Sequence, residues 1–279
     1  MFKDDNVSKV YSPSEQGMGT VKGVEHQRIK NIPVPEEFHG KKKPLKEFTM
    51  WDNEGVETGK KIKRDSSKKL VLLSGGSTGT DVEKLLSEAQ KANRKDVQYY
   101  VVTGRNKKLR EKLLNKKDPN VIVQGFDKNW KGSLDTGDLA ILRPHGLTPT
   151  EAAARKTPFI SAVTGDKGGK FKDSYAPHMV GNAESYKKEF GAPIASISGE
   201  DKSKSVGKIL NETLDSLDSY KSKIRGAATD SASEIIDSPS ATISKVKKIS
   251  PLGKALAYGT AGAAAAKIIA DRVKKKNKK

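Results

Sequence analysis

Between Leu70 and Ala162 the apolar positions switch period in a regular way. Leu70 to Leu73 is a continuous apolar run closed by Gly75 and Gly76, which predicts a short strand buried on both faces. Val82, Leu85, Leu86 and Ala89 then recur at helical spacing. The same rhythm repeats down the chain. Val97 to Val102 reads as a second strand and Lys107 to Asn115 as a Lys-rich helix, followed by a third strand over Val121 to Phe126. A short helix over Leu134 to Gly137, a strand over Leu139 to Leu142, a helix carrying Glu151 to Ala154 and a fifth strand over Pro158 to Ala162 complete the series. Strands alternating with helices in this way predict an α/β fold with a Rossmann-like parallel sheet, flanking helices and right-handed crossovers. In such a sheet a ligand lies beyond the carboxyl ends of the strands. Here that edge carries the loops at 75–80, 104–105, 125–126 and 144–151.

Outside this core the pattern weakens. Lys9 to Ser12 reads as a strand entering a capped helix, and the prolines at 33 and 35 force an extended stretch up to Phe38. Residues 39–67 are rich in Lys, Glu, Gly and Thr with few apolar anchors, and are expected to be a mobile linker. The core domain is expected over 68–200, and Val206, Ile209, Leu210, Leu214 and Leu217 predict a C-terminal helix within 201–225. Residues 226–250 read as a disordered linker, and 251–279 as an Ala-rich helix ending in a basic tail.

Composition narrows the classes. With 34% apolar residues in 279, part of the chain is expected to lie outside any core. Cysteine is absent, which excludes disulfides, thiolate nucleophiles and cysteine metal sites. His26, His39, His145 and His178 show no metal-ligand spacing, so neither a metal nor a bound cofactor is expected. No apolar run reaches the roughly 18 residues that span a bilayer, and no signal-like segment opens the sequence. The expected location is therefore cytoplasmic, with peripheral membrane contact through 251–279. The net charge of +19 calls for an anionic partner or a strongly solvated surface. With two Trp, the interleaved aromatics of a single-strand nucleic-acid binder are missing, so nucleic acid ranks behind an anionic membrane as partner.

The glycine-rich turn after the first core strand carries the clearest chemistry. Gly75, Gly76, Ser77 and Gly79 let backbone approach a ligand, and the first amides of the following helix have no partner inside it. That arrangement suits a phosphate. The spacing matches neither of the two common phosphate-binding glycine motifs, and taken alone it is equally a tight strand-to-helix connection.

Several ordered motifs together resemble the C-terminal, donor-binding domain of glycosyltransferase family 28, two-domain enzymes of GT-B fold. This group includes diacylglycerol galactosyl- and glucosyltransferases and the lipid II-forming N-acetylglucosaminyltransferase. The matching pieces are Val71 to Gly79, Tyr100 to Leu109, Val123 to Phe126, Pro144-His145-Gly146-Leu147-Thr148-Pro149-Thr150-Glu151-Ala152, Gly181-Asn182-Ala183 and Phe190-Gly191-Ala192. Ile32 to Phe38 is similar to the family's interdomain connection, and the resemblance covers about 12–217. It makes residues 1–38 a remnant of the N-terminal domain or that connection, and the whole chain the C-terminal half of a GT-B enzyme.

The resemblance implies a UDP-sugar donor. Gly76, Ser77 and Gly79 would cradle the phosphate and Arg105 would neutralise the diphosphate, with Gly75, Gly146, Leu147 and Thr148 also counted in the donor site. Phe126 would flank the uracil, Glu151 would accept hydrogen bonds from the ribose hydroxyls, and Asn182 would complete the donor site. The alternative for Glu151 is an exposed first-turn glutamate favoured by the helix dipole, which ranks behind the ribose reading once the motif around it is counted. His145 stands where the family has glycine, so it either donates to phosphate or obstructs the site. The glutamine that contacts the donor sugar is missing near 176–180, and no N-terminal domain supplies a catalytic group. No catalytic residue is assigned. Two readings follow: a donor-binding subunit that transfers a hexose only with a separate acceptor-binding subunit, or a non-catalytic module whose basic tails contact nucleic acid or anionic membrane.

Overall fold

The computed structural model describes residues 34–145, 147–168, 170–173 and 178–224, together with the backbone of 9–12 and 25–28. Strands β1 (Lys9–Ser12) and β2 (Glu25–Arg28) pair in parallel as a small sheet of their own. A hairpin follows, β3 (Phe48–Trp51) against β4 (Glu57–Ile62). The core then runs β5 (Lys69–Ser74), α1 (Val82–Gln90), β6 (Val97–Val102), α2 (Lys107–Asn115), β7 (Val121–Gln124), α3 (Trp130–Thr136), β8 (Leu139–Leu142), α4 (Leu147–Ala154) and β9 (Phe159–Val163). A second hairpin, β10 (Gly165–Lys167) and β11 (Lys170–Lys172), precedes α5 (His178–Phe190), β12 (Ile194–Ser196), α6 (Val206–Asp215) and α7 (Leu217–Lys223).

The main sheet has six parallel strands in the order β12-β9-β8-β5-β6-β7. It leaves β5 in one direction through β6 and β7, then returns on the other side of β5 through β8, β9 and β12. The loops after β5 and β8 therefore part at the switch point, where open α/β sheets bind ligands. Because side chains alternate across a strand, β5 feeds two cores. Val71 and Leu73 pack with α1, α2 and α6, whereas Leu70 and Leu72 pack with α3, α4 and α5. Every one of these four side chains is fully enclosed, as a strand covered on both faces requires.

The five core strands and their crossovers stand where the hydrophobic rhythm puts them, and the sheet gains a sixth, β12, at its edge. Ile194 to Ser196 is too short to show a period. The terminal helix is broken at Ser216 into α6 and α7 rather than running on to Ile224. The expected linker over 39–67 needs correction, because it carries the β3–β4 hairpin. Phe48 and Met50 alternate inward and are buried in the second core, and Phe48 packs on Tyr100 with ring centroids 4.6 Å apart. Two alternate apolar residues suffice to anchor a strand whose exposed partner, β4, is charged. The basic stretches at 226–250 and 251–279 lie outside the described residues.

The hairpin is fastened to the end of β7 through buried Gln124. Its side chain accepts from Trp51 N (2.8 Å) and donates to Thr49 O (2.9 Å) and Tyr100 Oη (2.9 Å). Gln124→Leu would leave backbone groups of β3 unpaired away from water, each costing about 1–3 kcal/mol. Urea denaturation should show a loss in that range, with faster hydrogen exchange at the Trp51 amide; an unchanged midpoint would mean that the hairpin docks without this clasp.

Candidate functional site

The glycine turn is shaped by close backbone approaches. A Cβ on Gly75 would stand 2.0 Å from Thr80 O, and one on Gly79, which has φ +64°, would stand 2.2 Å from Thr103 O. Only glycine fits either place. Ser77 O accepts from Arg105 N at 2.8 Å, so the turn after β5 and the turn after β6 are knitted together. Asp81 precedes α1 in a left-handed conformation, φ 60°, and does not cap the helix with its side chain. It turns instead toward Arg143, whose Nε lies 3.5 Å away.

Arg105 reaches across to the next loop. Its guanidinium carbon lies 5.5 Å from the centre of the Phe126 ring, a cation–π contact that puts positive charge and an aromatic face side by side. Phe126 is positioned from the other side by the hairpin, since its N–H donates to Asp52 O at 2.8 Å. Asn53, buried at the hairpin turn, donates to Gly104 O at 2.6 Å. The segment expected to be a linker thus braces two of the candidate loops.

On the far side of the switch point, the loop after β8 is pinned to α5. Asn182 Nδ2 donates to Pro144 O at 3.0 Å and Tyr186 Oη to His145 O at 3.4 Å. Asn182 therefore holds the loop by its side-chain amide. The His145 ring lies over Gly76, with Cδ2 3.5 Å from where a Cβ on that glycine would stand. Its Nε2 is buried and, among the described residues, without a hydrogen-bond partner. Burial, then the charges of Arg143 and His178, hold its pKa below the usual histidine value against the pull of Asp173 and Asp81. Gly146 falls outside the described residues. Leu147 and Thr148 open α4, aiming the helix N-terminus at the same edge.

Glu151 sits one turn into α4. Burial pushes its carboxyl up to about 7, with Glu37 adding to the rise and the Trp130 indole opposing it. Trp130 Nε1 is buried, has no hydrogen-bond partner of full geometry among the described residues, and lies near enough to the Glu151 carboxylate to favour its charged form. Trp130 opens α3 just after Phe126, which makes one loop serve both ends of the crevice. The structure thus brings together Gly76 with His145, Ser77 with Arg105, Arg105 with Phe126, and Asn182 with Pro144, while the electrostatic neighbours of Glu151 are Trp130 and Glu37.

Trp130, Asn53 and Arg143 were not among the residues expected from the sequence. Trp130 is one of only two tryptophans and follows an Asn N-cap, a signal that was legible. The run Asp52-Asn53-Glu54-Gly55 after the alternating Phe48 and Met50 is a turn signal, but the charged strand that follows it hides the hairpin. Arg143 gave none, because its full burial depends on Ala162 O, Asp173 and Asp81, all distant in sequence. A cavity of about 610 Å³ opens elsewhere, under the β10–β11 hairpin between Asp81, Asp166 and Phe171, and shares no residue with the expected donor site. Among the described residues no His, Asp and Glu group is placed to hold a metal, and no helix is long and apolar enough to cross a membrane.

No family model matches the chain. It is 26% identical over 140 residues to a processive diacylglycerol beta-glucosyltransferase of Staphylococcus carnosus, an alignment that covers 48% of this chain and 32% of that enzyme. The enzyme of the same name from Staphylococcus aureus is 29% identical over 104 residues, covering 34% of this chain and 25% of the relative. The chain therefore matches about a third or less of the length of these relatives. Among solved structures, MurG of Acinetobacter baumannii aligns with a TM-score of 0.47 and 18% identity over 62% of this chain and 50% of that one. Part of the core is similar to these glucosyltransferases, and its six parallel strands with helices on both faces form a Rossmann-like sheet.

Proposed function

We propose that this chain is a UDP-sugar-binding, glycosyltransferase-like subunit that transfers a hexose only together with a separate acceptor-binding subunit. The observation that carries the reading is the meeting of loops at the switch point. A glycine turn with no room for side chains, the N-terminus of α4, and Arg105 stacked on Phe126 stand along one sheet edge. Anionic diphosphate suits the first two, an aromatic base the third, and the carboxyl of Glu151 beside Trp130 a ribose. The related processive diacylglycerol beta-glucosyltransferases supply the reaction class. Gly75, Gly76, Ser77, Gly79, Arg105, Phe126, His145, Gly146, Leu147, Thr148, Glu151 and Asn182 make up the proposed donor site, with Asn182 acting through the loop it holds. No metal or cofactor enters this proposal. A cytoplasmic location with peripheral membrane contact through 251–279 belongs to it too.

Ligand at about a hundred times its dissociation constant stabilises the folded state by about 2.7 kcal/mol. For a domain of this size that is about 5–10 °C in melting temperature. UDP at millimolar concentration should give that shift, and deletion of 251–279 should leave it intact. A flat thermal response to UDP and to UDP-sugars would sink the donor reading. The second reading, a non-catalytic module using its basic tails on nucleic acid or membrane, draws on one feature: the His145 ring lies on Gly76, in the path of the diphosphate.

A further inference from the structure

That ring is also a polar group held in an unusual state. The loop backbone around it is fixed, with His145 N donating to Arg143 O at 2.7 Å and Pro144 and His145 carbonyls tied to α5. Fixing the backbone leaves the imidazole the movable part. Among the described residues its buried Nε2 finds no partner. An orphaned buried nitrogen is costly unless something else is meant to meet it. The groups around it come from four elements: Arg143 at the end of β8, His178 at the start of α5, Asp173 after β11 and Asp81 before α1. Arg143 is balanced by its ion pairs with Asp173 and Asp81, so this shell is close to neutral and leaves the ring uncharged when nothing is bound.

A diphosphate at the glycine turn would change that balance. It brings negative charge against Gly76, over which the ring lies, at the sheet edge where α4 begins two residues after His145. We infer that His145 takes a proton from solvent as a diphosphate binds there, and that Nε2–H then donates to a phosphate oxygen. Binding at this crevice is thereby coupled to proton uptake and strengthens as pH falls. This inference rests on the donor reading and names how that site is regulated. A glycine at this position, having no side chain, could not do it.

The sign at Glu151 is opposite. Its carboxyl must ionise to accept ribose hydroxyls, so nucleoside binding through Glu151 releases a proton. Inorganic pyrophosphate reaches His145 alone, whereas UDP reaches both. Calorimetric titration of the full chain with each ligand, in two buffers of different ionisation heat, separates them. Wild type should take up more proton per pyrophosphate than His145→Asn, the variant difference cancelling the ligand's own titration. Relative to that variant, wild type should gain about tenfold in pyrophosphate affinity between about pH 8 and about pH 6. NMR titration of the His145 ring should show its pKa rising when pyrophosphate is present, a readout that needs no variant. Equal proton uptake in wild type and His145→Asn, an unmoved His145 pKa, or no pyrophosphate binding would overturn the inference. His145-dependent uptake with pyrophosphate, but UDP bound no tighter and indifferent to Glu151→Ala, would uphold it while ending the uridine donor reading.

Discussion

Arg155→Met should cost the fold about 3–5 kcal/mol, the usual penalty for removing one partner of a buried ion pair. Arg155 and Asp135 are both fully enclosed, and Arg155 Nε donates to Asp135 Oδ1 at 2.6 Å. The remaining guanidinium hydrogens hold the segment that leads into the domain, donating to Phe38 O (2.8 Å), Gly40 O (3.1 Å) and Lys41 O (2.9 Å). Burial, the largest single influence, would raise Asp135, but the hydrogen bonds from Arg155, Lys43 N and Lys131 with the Arg155 charge together hold the carboxyl below the ordinary aspartate value. A depressed carboxylate contributes stability above its unfolded pKa and loses it as pH falls through the folded one, so the wild type should weaken on acidification through this pair. With methionine at 155, Asp135 keeps only Lys43 N and Lys131 as donors, and three backbone carbonyls lose theirs. The melting temperature should fall by about 6–20 °C. Asp135→Leu combined with Arg155→Met should recover part of the loss, because no lone charge is then left inside. A loss under about 1 kcal/mol in the single variant would mean that the pair behaves like one at the surface.

How much of this was legible in the sequence depends on where the signal lies. Leu70 to Leu73 reads as a doubly covered strand because burial on both faces needs an unbroken apolar run, and local sequence records that directly. The glycines at 75, 76 and 79 are likewise local, since each meets backbone or a side chain that only glycine admits at that approach or φ. The β3–β4 hairpin was hidden by its lysines. Its burial comes from two side chains and from Gln124, some 70 residues further on, which accepts from Trp51 at a separation of 73. Arg143 and Arg155 carry no local sign of burial, yet both are enclosed by carboxylates and carbonyls that the fold brings from distant segments. Motif spacing put these loops at one sheet edge, but only the fold shows that Asn182 grips a loop and that His145 lies on Gly76.

Glu151→Gln should strengthen the unliganded fold and weaken its ligand at the same time. The Glu151 carboxyl titrates near 7 in the fold, against an ordinary value of 4.5. Each pKa unit is worth about 1.4 kcal/mol, so with allowance for partial exposure the ionised carboxylate costs the folded state about 2 kcal/mol at alkaline pH. The sign follows from linkage: with the folded pKa raised, the native state holds its proton longer, and stability is lost as pH rises from the unfolded value through the folded one. A neutral amide of the same shape escapes that loss. At about pH 8 the variant should therefore melt about 4–8 °C higher than wild type, and at about pH 4 the two should coincide. Glutamine cannot offer a charged acceptor to two hydroxyls, and hydrogen bonds to charged groups contribute about 1.5–3 kcal/mol, so UDP should bind at least about tenfold more weakly at the higher pH. A glutamate placed only to complement the α4 dipole would show neither effect, because it would sit in water at its ordinary pKa. Should Glu151→Gln leave both the alkaline melting temperature and the UDP affinity unchanged, the carboxyl is neither buried as the geometry has it nor in contact with a ribose, and the crevice would have to be rebuilt around Arg105 and Phe126 alone.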